Sequence, residues 1–140
     1  MFNIIGYNGP VILLIVVFFL QTPYIFTNLI IWQLLGSILN IGLKNLIKQP
    51  RPKCNGLKRD TSSYGMPSGH AQQSFTTLTF IMLTMKNMWV IIFALIQTLI
   101  TLWQRHAYCK HSIPQLIVGG IIGILLGYYF TTMISSNNAT

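Results

Sequence analysis

Five long apolar runs separated by short polar intervals organise the chain: Phe2 to Leu20, Tyr24 to Leu43, Pro67 to Met85, Met88 to Trp103 and Pro114 to Phe130. At about 1.5 Å per residue, a helix needs about 20 residues to cross the hydrocarbon of a bilayer, and these runs reach or approach that length. The pattern predicts an all-α, multi-pass transmembrane bundle of about five spans, with residues 1–140 forming a single membrane-embedded domain. Trp89 and Trp103 flank the fourth run, while Tyr24 and the Tyr128/Tyr129 pair stand near other run ends, where amphipathic rings favour the membrane interface. Gly119, Gly123 and Gly127 recur every four residues in the fifth run, a spacing that permits close helix packing.

The intervals differ in kind. Gln21 to Pro23 and Lys86 to Asn87 are very short, so consecutive spans run antiparallel and these two turns share one side of the membrane. The opposite side receives Lys44 to Met66 and Gln104 to Ile113, and with them eight of the nine cations and all three histidines, His70 lying just inside its span. The first run lacks a basic start and a small-residue cleavage site, and so reads as a retained span and not a removable signal.

Composition strengthens the membrane reading. Of the 140 residues 52% are hydrophobic and only 7% charged, against about 25% charged in a soluble domain. Nine Lys and Arg stand against one carboxylate, Asp60. That single acid excludes the carboxylate-rich sites of two-metal phosphatases and the paired carboxylates of glycosidases. The formal charge of +8 asks for an anionic partner. Because the cations occupy short loops between spans, a lipid headgroup fits better than nucleic acid. Cys54 and Cys109 are too few for a disulfide scaffold and are expected to be free thiols, with a bridge between them left open.

Three groups converge on the cation-rich side: Lys44 with Arg51-Pro52, then Pro67-Ser68-Gly69-His70, then Arg105 with His111. Basic residues at span ends are often mere interfacial anchors, so clustering alone proves little. Pro-Ser-Gly-His carries more chemistry. Pro suits the first turn of a helix, Gly allows close backbone approach, and the N–H groups at a helix start attract anions. Ser68 adds a hydroxyl, and His70 would stand beside a bound phosphate, placed to protonate a departing oxygen.

In order and spacing, Lys44-x6-Arg51-Pro52, Pro67-Ser68-Gly69-His70 and Arg105-x5-His111 resemble the signature motifs of the type 2 phosphatidic acid phosphatase superfamily, over roughly Lys44 to Gln115. The resemblance implies that Lys44, Arg51, Ser68, the Gly69 backbone and Arg105 hold a phosphate. It further implies that His111 attacks phosphorus, that His70 protonates the leaving group, and that neither metal nor cofactor takes part. The chain departs from the pattern at Gln104, where the family usually has Ser, and at Gln115, where it usually has the Asp that orients the nucleophilic histidine. An oxygen of Gln115 is expected to accept the imidazole N–H instead, without the negative charge. "GMPSGHAQ" and His111-Ser-Ile-Pro-Gln115 are similar to the branch acting on dolichyl diphosphate, which implies a polyisoprenyl diphosphate released as monophosphate and inorganic phosphate. The generic alternative is a lipid phosphomonoester such as phosphatidate.

Two readings of other classes compete. One is an inactive, phosphate-binding membrane scaffold, against which stands the retention of both histidines. The other is a zinc site from His106, Cys109 and His111 with Cys54, whose spacing matches no standard zinc pattern. Sidedness divides two criteria: the count of loop cations places the active face in the cytoplasm, whereas the resemblance implies the lumenal or external side. The sequon Asn138-Ala139-Thr140 sits at the extreme end on the opposite side. Oligomeric state leaves no trace in the sequence.

Overall fold

A computed structural model of the chain describes residues 2–53 and 61–137. These form six helices: α1 (Phe2–Tyr7), α2 (Gly9–Leu20), α3 (Pro23–Ile47), α4 (Gly69–Thr84), α5 (Met88–Ala107) and α6 (Ile113–Asn137). Helix starts follow local capping chemistry. The Thr22 hydroxyl accepts from Ile25 N ahead of α3, Ser68 Oγ accepts from Ala71 N (3.4 Å) ahead of α4, and Asn87 Oδ1 accepts from Trp89 N (3.0 Å) ahead of α5. The α3 helix ends where Lys48 turns left-handed at φ 53° while its N–H still reaches Lys44 O.

The first apolar run is not one helix, as its hydropathy had implied. Asn8 donates Nδ2 to Ile4 O (3.0 Å) at the end of α1, and Gly9-Pro10 begin a new helix, proline being well suited to a first turn. Among the described residues three helices are long and apolar enough to cross a membrane by length and composition: Pro23–Ile47, Met88–Ala107 and Ile113–Ser136. Gly9–Leu20 is a shorter apolar helix, and α4 has 16 residues. Of the five expected spans, those at α3, α5 and α6 reach crossing length, the first is divided between α1 and α2, and the third is the shorter α4; the described residues are all-helical and the chain is an integral membrane protein.

Packing follows the logic of a lipid solvent, with polar groups inside and apolar side chains out. Ile31, Leu34, Leu35, Ile38 and Ile41 of α3 are exposed. Turned inward from the same helix are Gln33, whose Nε2 donates to Thr77 Oγ1 (2.8 Å), and Asn40, whose Nδ2 donates to Gln72 Oε1 (2.8 Å). Gln72 Nε2 in turn donates to Gly36 O (2.7 Å). An apolar cluster containing Leu13, Val17, Leu29, Phe80, Ile81 and Phe130 completes the interior. Helix α6 lies closest to α4 along the glycine stripe: Gly119 faces the Ser68 backbone, Gly123 the Gln72 carbonyl and Gly127 the Thr76 carbonyl. The stripe therefore does more than pack two helices, because its first member sits under the residue that starts α4.

The expectation of two free thiols is corrected: Cys109 is disulfide-bonded. Cys54, the other cysteine of the chain, lies outside the described residues, as do Lys58, Arg59, Asp60 and the sequon at residues 138–140.

Candidate active site

The ends of α3, α4, α5 and α6 meet on one side of the bundle. Lys44 occupies the last turn of α3 and Arg105 the last turn of α5, positions where the helix dipole favours a cation. Ser68, Gly69 and His70 form the start of α4. His111 is in the turn after α5, and that turn folds back on its own helix. Cys109 adopts φ 54°, and the N–H groups of Lys110 and His111 both donate to Arg105 O (3.0 and 3.1 Å). The local backbone thereby brings His111 back beside Arg105.

Arg51 ties three segments together. Its Nε donates to Ser63 O (3.2 Å), Nη2 to Ser63 Oγ (2.7 Å) and Nη1 to Lys110 O (3.3 Å), so it braces the residue next to His111. Gln104, at a position where Ser was expected, accepts from Arg105 Nη1 through Oε1 at 3.4 Å. The charges of Lys44, Arg51 and Arg105 act on both imidazoles, placing His70 and His111 in one cationic neighbourhood. A cavity of about 630 Å³ opens beside Lys44 and Arg51, with Ile41 at its apolar edge and Asn45, Ser62 and Ser63 among its polar walls.

Each histidine is oriented by a backbone carbonyl. His111 Nδ1 lies 2.8 Å from Gly65 O. A carbonyl oxygen only accepts, so Nδ1 carries the proton and Nε2 holds the lone pair. His70 makes its backbone hydrogen bond to Tyr7 at the end of α1. The Tyr7 ring also stands 5.4 Å from the His70 ring and 5.4 Å from the Arg105 guanidinium carbon, within cation–π range.

His111 is 2% exposed. Burial above all, then the charges of Arg51 and Arg105, push its imidazole from an ordinary 6.5 down to about 3, Lys44 adding to the effect and the Gly65 carbonyl opposing it. Burial and the neighbouring cations thus both favour the uncharged ring.

The expected bond from this imidazole to Gln115 is absent. Gln115 Oε1 instead accepts from Ser112 N (3.1 Å), while Nε2 donates to Gln49 Oε1 and Pro50 O (both 3.0 Å). The Gly65 carbonyl already occupies Nδ1.

Sequence reasoning brought together Lys44, Arg51, Ser68, Gly69, His70, Arg105, His111 and Gln115, and all eight lie at these four helix ends or in the segments joining them. It missed Tyr7, Gly65, Asn40 and Gln49. Asn40 had a usable signal, being a polar residue within an apolar span. Tyr7 and Gly65 act through carbonyls that every residue possesses. Among the described residues no group of three His, Cys, Asp or Glu side chains is arranged to hold a metal, and the disulfide at Cys109 removes that sulfur from the zinc alternative.

Comparison with known proteins gives three matches. A family model described as the PAP2 superfamily matches residues 12–139. The dolichyldiphosphatase of Saccharomyces cerevisiae is 35% identical over 114 residues, covering 70% of this chain and 48% of that protein. The chain thus spans about half the length of this curated relative. A crystal structure of a transmembrane PAP2-type phosphatidylglycerolphosphate phosphatase from Bacillus subtilis superposes with a TM-score of 0.77 at 20% identity, covering 96% of this chain and 75% of that one. At that identity the match establishes a shared fold.

Proposed function

We infer the function from one premise: the chain belongs to the PAP2 superfamily. Our reading is that it is an integral-membrane phosphohydrolase of lipid phosphates, acting on a polyisoprenyl diphosphate through a phosphohistidine at His111. The observation that carries it is the His111 tautomer. With Nδ1–H donated to Gly65 O, Nε2 of a buried imidazole keeps its lone pair, and the charges of Lys44, Arg51 and Arg105 act on the same ring.

The proposed chemistry balances in two steps. Nε2 of His111 forms a bond to the terminal phosphorus as the bond from that phosphorus to the lipid-borne oxygen breaks, and His70, which takes up a proton as the negative charge of the bound diphosphate offsets the surrounding cations, gives that oxygen its proton. A water, deprotonated by His70, then attacks the same phosphorus, the P–N bond breaks, and inorganic phosphate leaves with both imidazoles restored. Lys44, Arg51, Ser68, the Gly69 N–H and Arg105 offset charge on the phosphoryl oxygens. A lipid monophosphate is a far better leaving group than an alcohol, so a site whose nucleophile lacks a carboxylate partner is better matched to a diphosphate than to a phosphomonoester. Identity of 35% to a dolichyldiphosphatase supports the same choice. Phosphatidate or another lipid phosphomonoester is the second reading.

The disulfide at Cys109, in the same turn as His111, supports an active face on the oxidising, lumenal or external side, since such bonds persist there and not in the cytosol. The excess of loop cations opposes that placement by the positive-inside rule, but an anionic headgroup gives those cations a separate reason to be there.

The test is a substrate panel on the full chain reconstituted in vesicles with excess EDTA: a polyprenyl diphosphate, phosphatidate and a soluble phosphate ester. The expected result is phosphate release fastest from the diphosphate and abolished by His111→Ala. Release from none of them would favour the inactive scaffold, and a preference for phosphatidate would favour the second reading.

A further inference from the structure

Gln115 is 1% exposed and every polar atom of its side chain amide is engaged, yet none touches the imidazole it was expected to orient. Its contacts lead instead to Gly65. Nε2 holds both Gln49 Oε1 and Pro50 O, and the carbonyl of that same Gln49 accepts the N–H of Gly65 (2.8 Å). The amide also lies flat against Gly65 itself: a Cβ added there would stand 2.6 Å from both Nε2 and Oε1 of Gln115. Gly65 is therefore fixed from two directions by one side chain, and its carbonyl is what holds His111 Nδ1.

We propose that Gln115 is a positioning residue that acts on His111 through the Gly65 carbonyl, replacing a direct carboxylate–imidazole contact by a backbone relay. The proposal rests on the phosphohistidine reading for its effect on turnover, but not for its effect on the ring. A glutamine is specifically suited to the task. Its NH₂ group supplies two donors to two acceptors on the 49–50 segment while its oxygen receives the Ser112 N–H at the start of α6. A carboxylate is acceptor-only and would face the Pro50 carbonyl with no proton to offer. Aspartate is moreover one methylene too short to span to Gln49. The departure at this position is then a different solution to the same problem and not a damaged one, and it accounts for the glycine at 65, where any side chain would displace the amide.

Two readouts test the relay on the full chain. The first is the ¹⁵N NMR signature of His111, which reports its tautomer without reference to any substrate. The parent protein is expected to show a single Nδ1–H form, whereas Gln115→Glu and Gln115→Ala are expected to show exchange between the two tautomers. The second is steady-state kinetics on the polyprenyl diphosphate. For both variants kcat is expected to fall about 10- to 100-fold, as when a residue that orients another imidazole is lost, with KM within about twofold. Gly65→Ala should lose activity alone but add nothing to Gln115→Ala, because the new methyl occupies vacated space. Gln49→Ala, which removes one acceptor and leaves the core intact, should give an intermediate loss.

A pure Nδ1–H tautomer with parental kcat in Gln115→Ala would overturn the proposal, as would a rise in kcat in Gln115→Asp. If no substrate of the panel is hydrolysed, the phosphatase reading fails while the NMR result still decides the relay.

Discussion

Replacing Gly119 by alanine tests whether the glycine stripe serves the site as well as the bundle. By helix propensity alone the change should stabilise α6 by about 0.8–1.0 kcal/mol. The surroundings reverse that expectation. A Cβ at position 119 would overlap the Ser68 carbonyl oxygen and stand 3.1 Å from Ser68 N and 3.2 Å from Ser68 C, all backbone atoms that no rotamer change can move. Restoring ordinary van der Waals separation requires the start of α4, with Gly69 and His70, to move by about half an ångström to an ångström relative to α6. Displacement by about 1 Å at a catalytic group lowers turnover about 10²-fold. Gly42→Ala is the control, because nothing lies within 4 Å of a Cβ at that position. Initial rates of phosphate release, taken alongside thermal unfolding in detergent, are expected to show Gly119→Ala reduced about 100-fold in kcat while remaining folded, and Gly42→Ala at the parental level. Equal activity of the two variants would refute the argument that α6 positions the start of α4.

Further expectations follow from the same geometry. The His111 ring should titrate near pH 3, not near 6.5; because its folded value lies below the unfolded one, its contribution to stability is complete above pH 6.5 and is lost as pH falls toward 3. An NMR midpoint close to 6.5 would contradict the buried, cation-flanked placement. Asn40→Ala leaves Gln72 Oε1 without its buried donor and should destabilise the protein by about 1–3 kcal/mol, read from the unfolding midpoint. An unchanged midpoint would mean that this pair carries no net stability. Reducing the disulfide at Cys109 should lower stability by about 2–4 kcal/mol; a Tm insensitive to reductant would contradict a structural role for the bond.

Sequence and structure agree where a signal is carried by side-chain type and spacing. The apolar runs that became α3, α5 and α6 are long and predominantly apolar, so hydropathy was enough to find them. The first run concealed its break because apolar residues continue on both sides, although Asn8-Gly9-Pro10 is itself a turn-forming sequence that outweighs a hydropathy average. The cationic cradle was legible because charge is rare in this chain and its few positions fall at span ends. What orients the histidines was not legible, since Gly65 and Tyr7 contribute carbonyls and their relevance depends on how segments 46 and 63 residues apart in sequence meet in space. Gln115 illustrates both limits: its position in the motif was evident, but its partners lie on the 49–50 strap that no spacing rule connects to it. The disulfide at Cys109 was underestimated for a related reason, as a chain with two cysteines carries no spacing pattern that signals a bridge.

The most direct test of the central claim is capture of the covalent intermediate. Purified protein turning over a polyprenyl diphosphate labelled in its terminal phosphate would be quenched at alkaline pH, where phosphohistidine survives, and digested for mass spectrometry. One acid-labile phosphate on His111 is expected, lost in His111→Ala and accumulating when His70 is replaced. Steady turnover with no label on the protein, or label on any other residue, would contradict it.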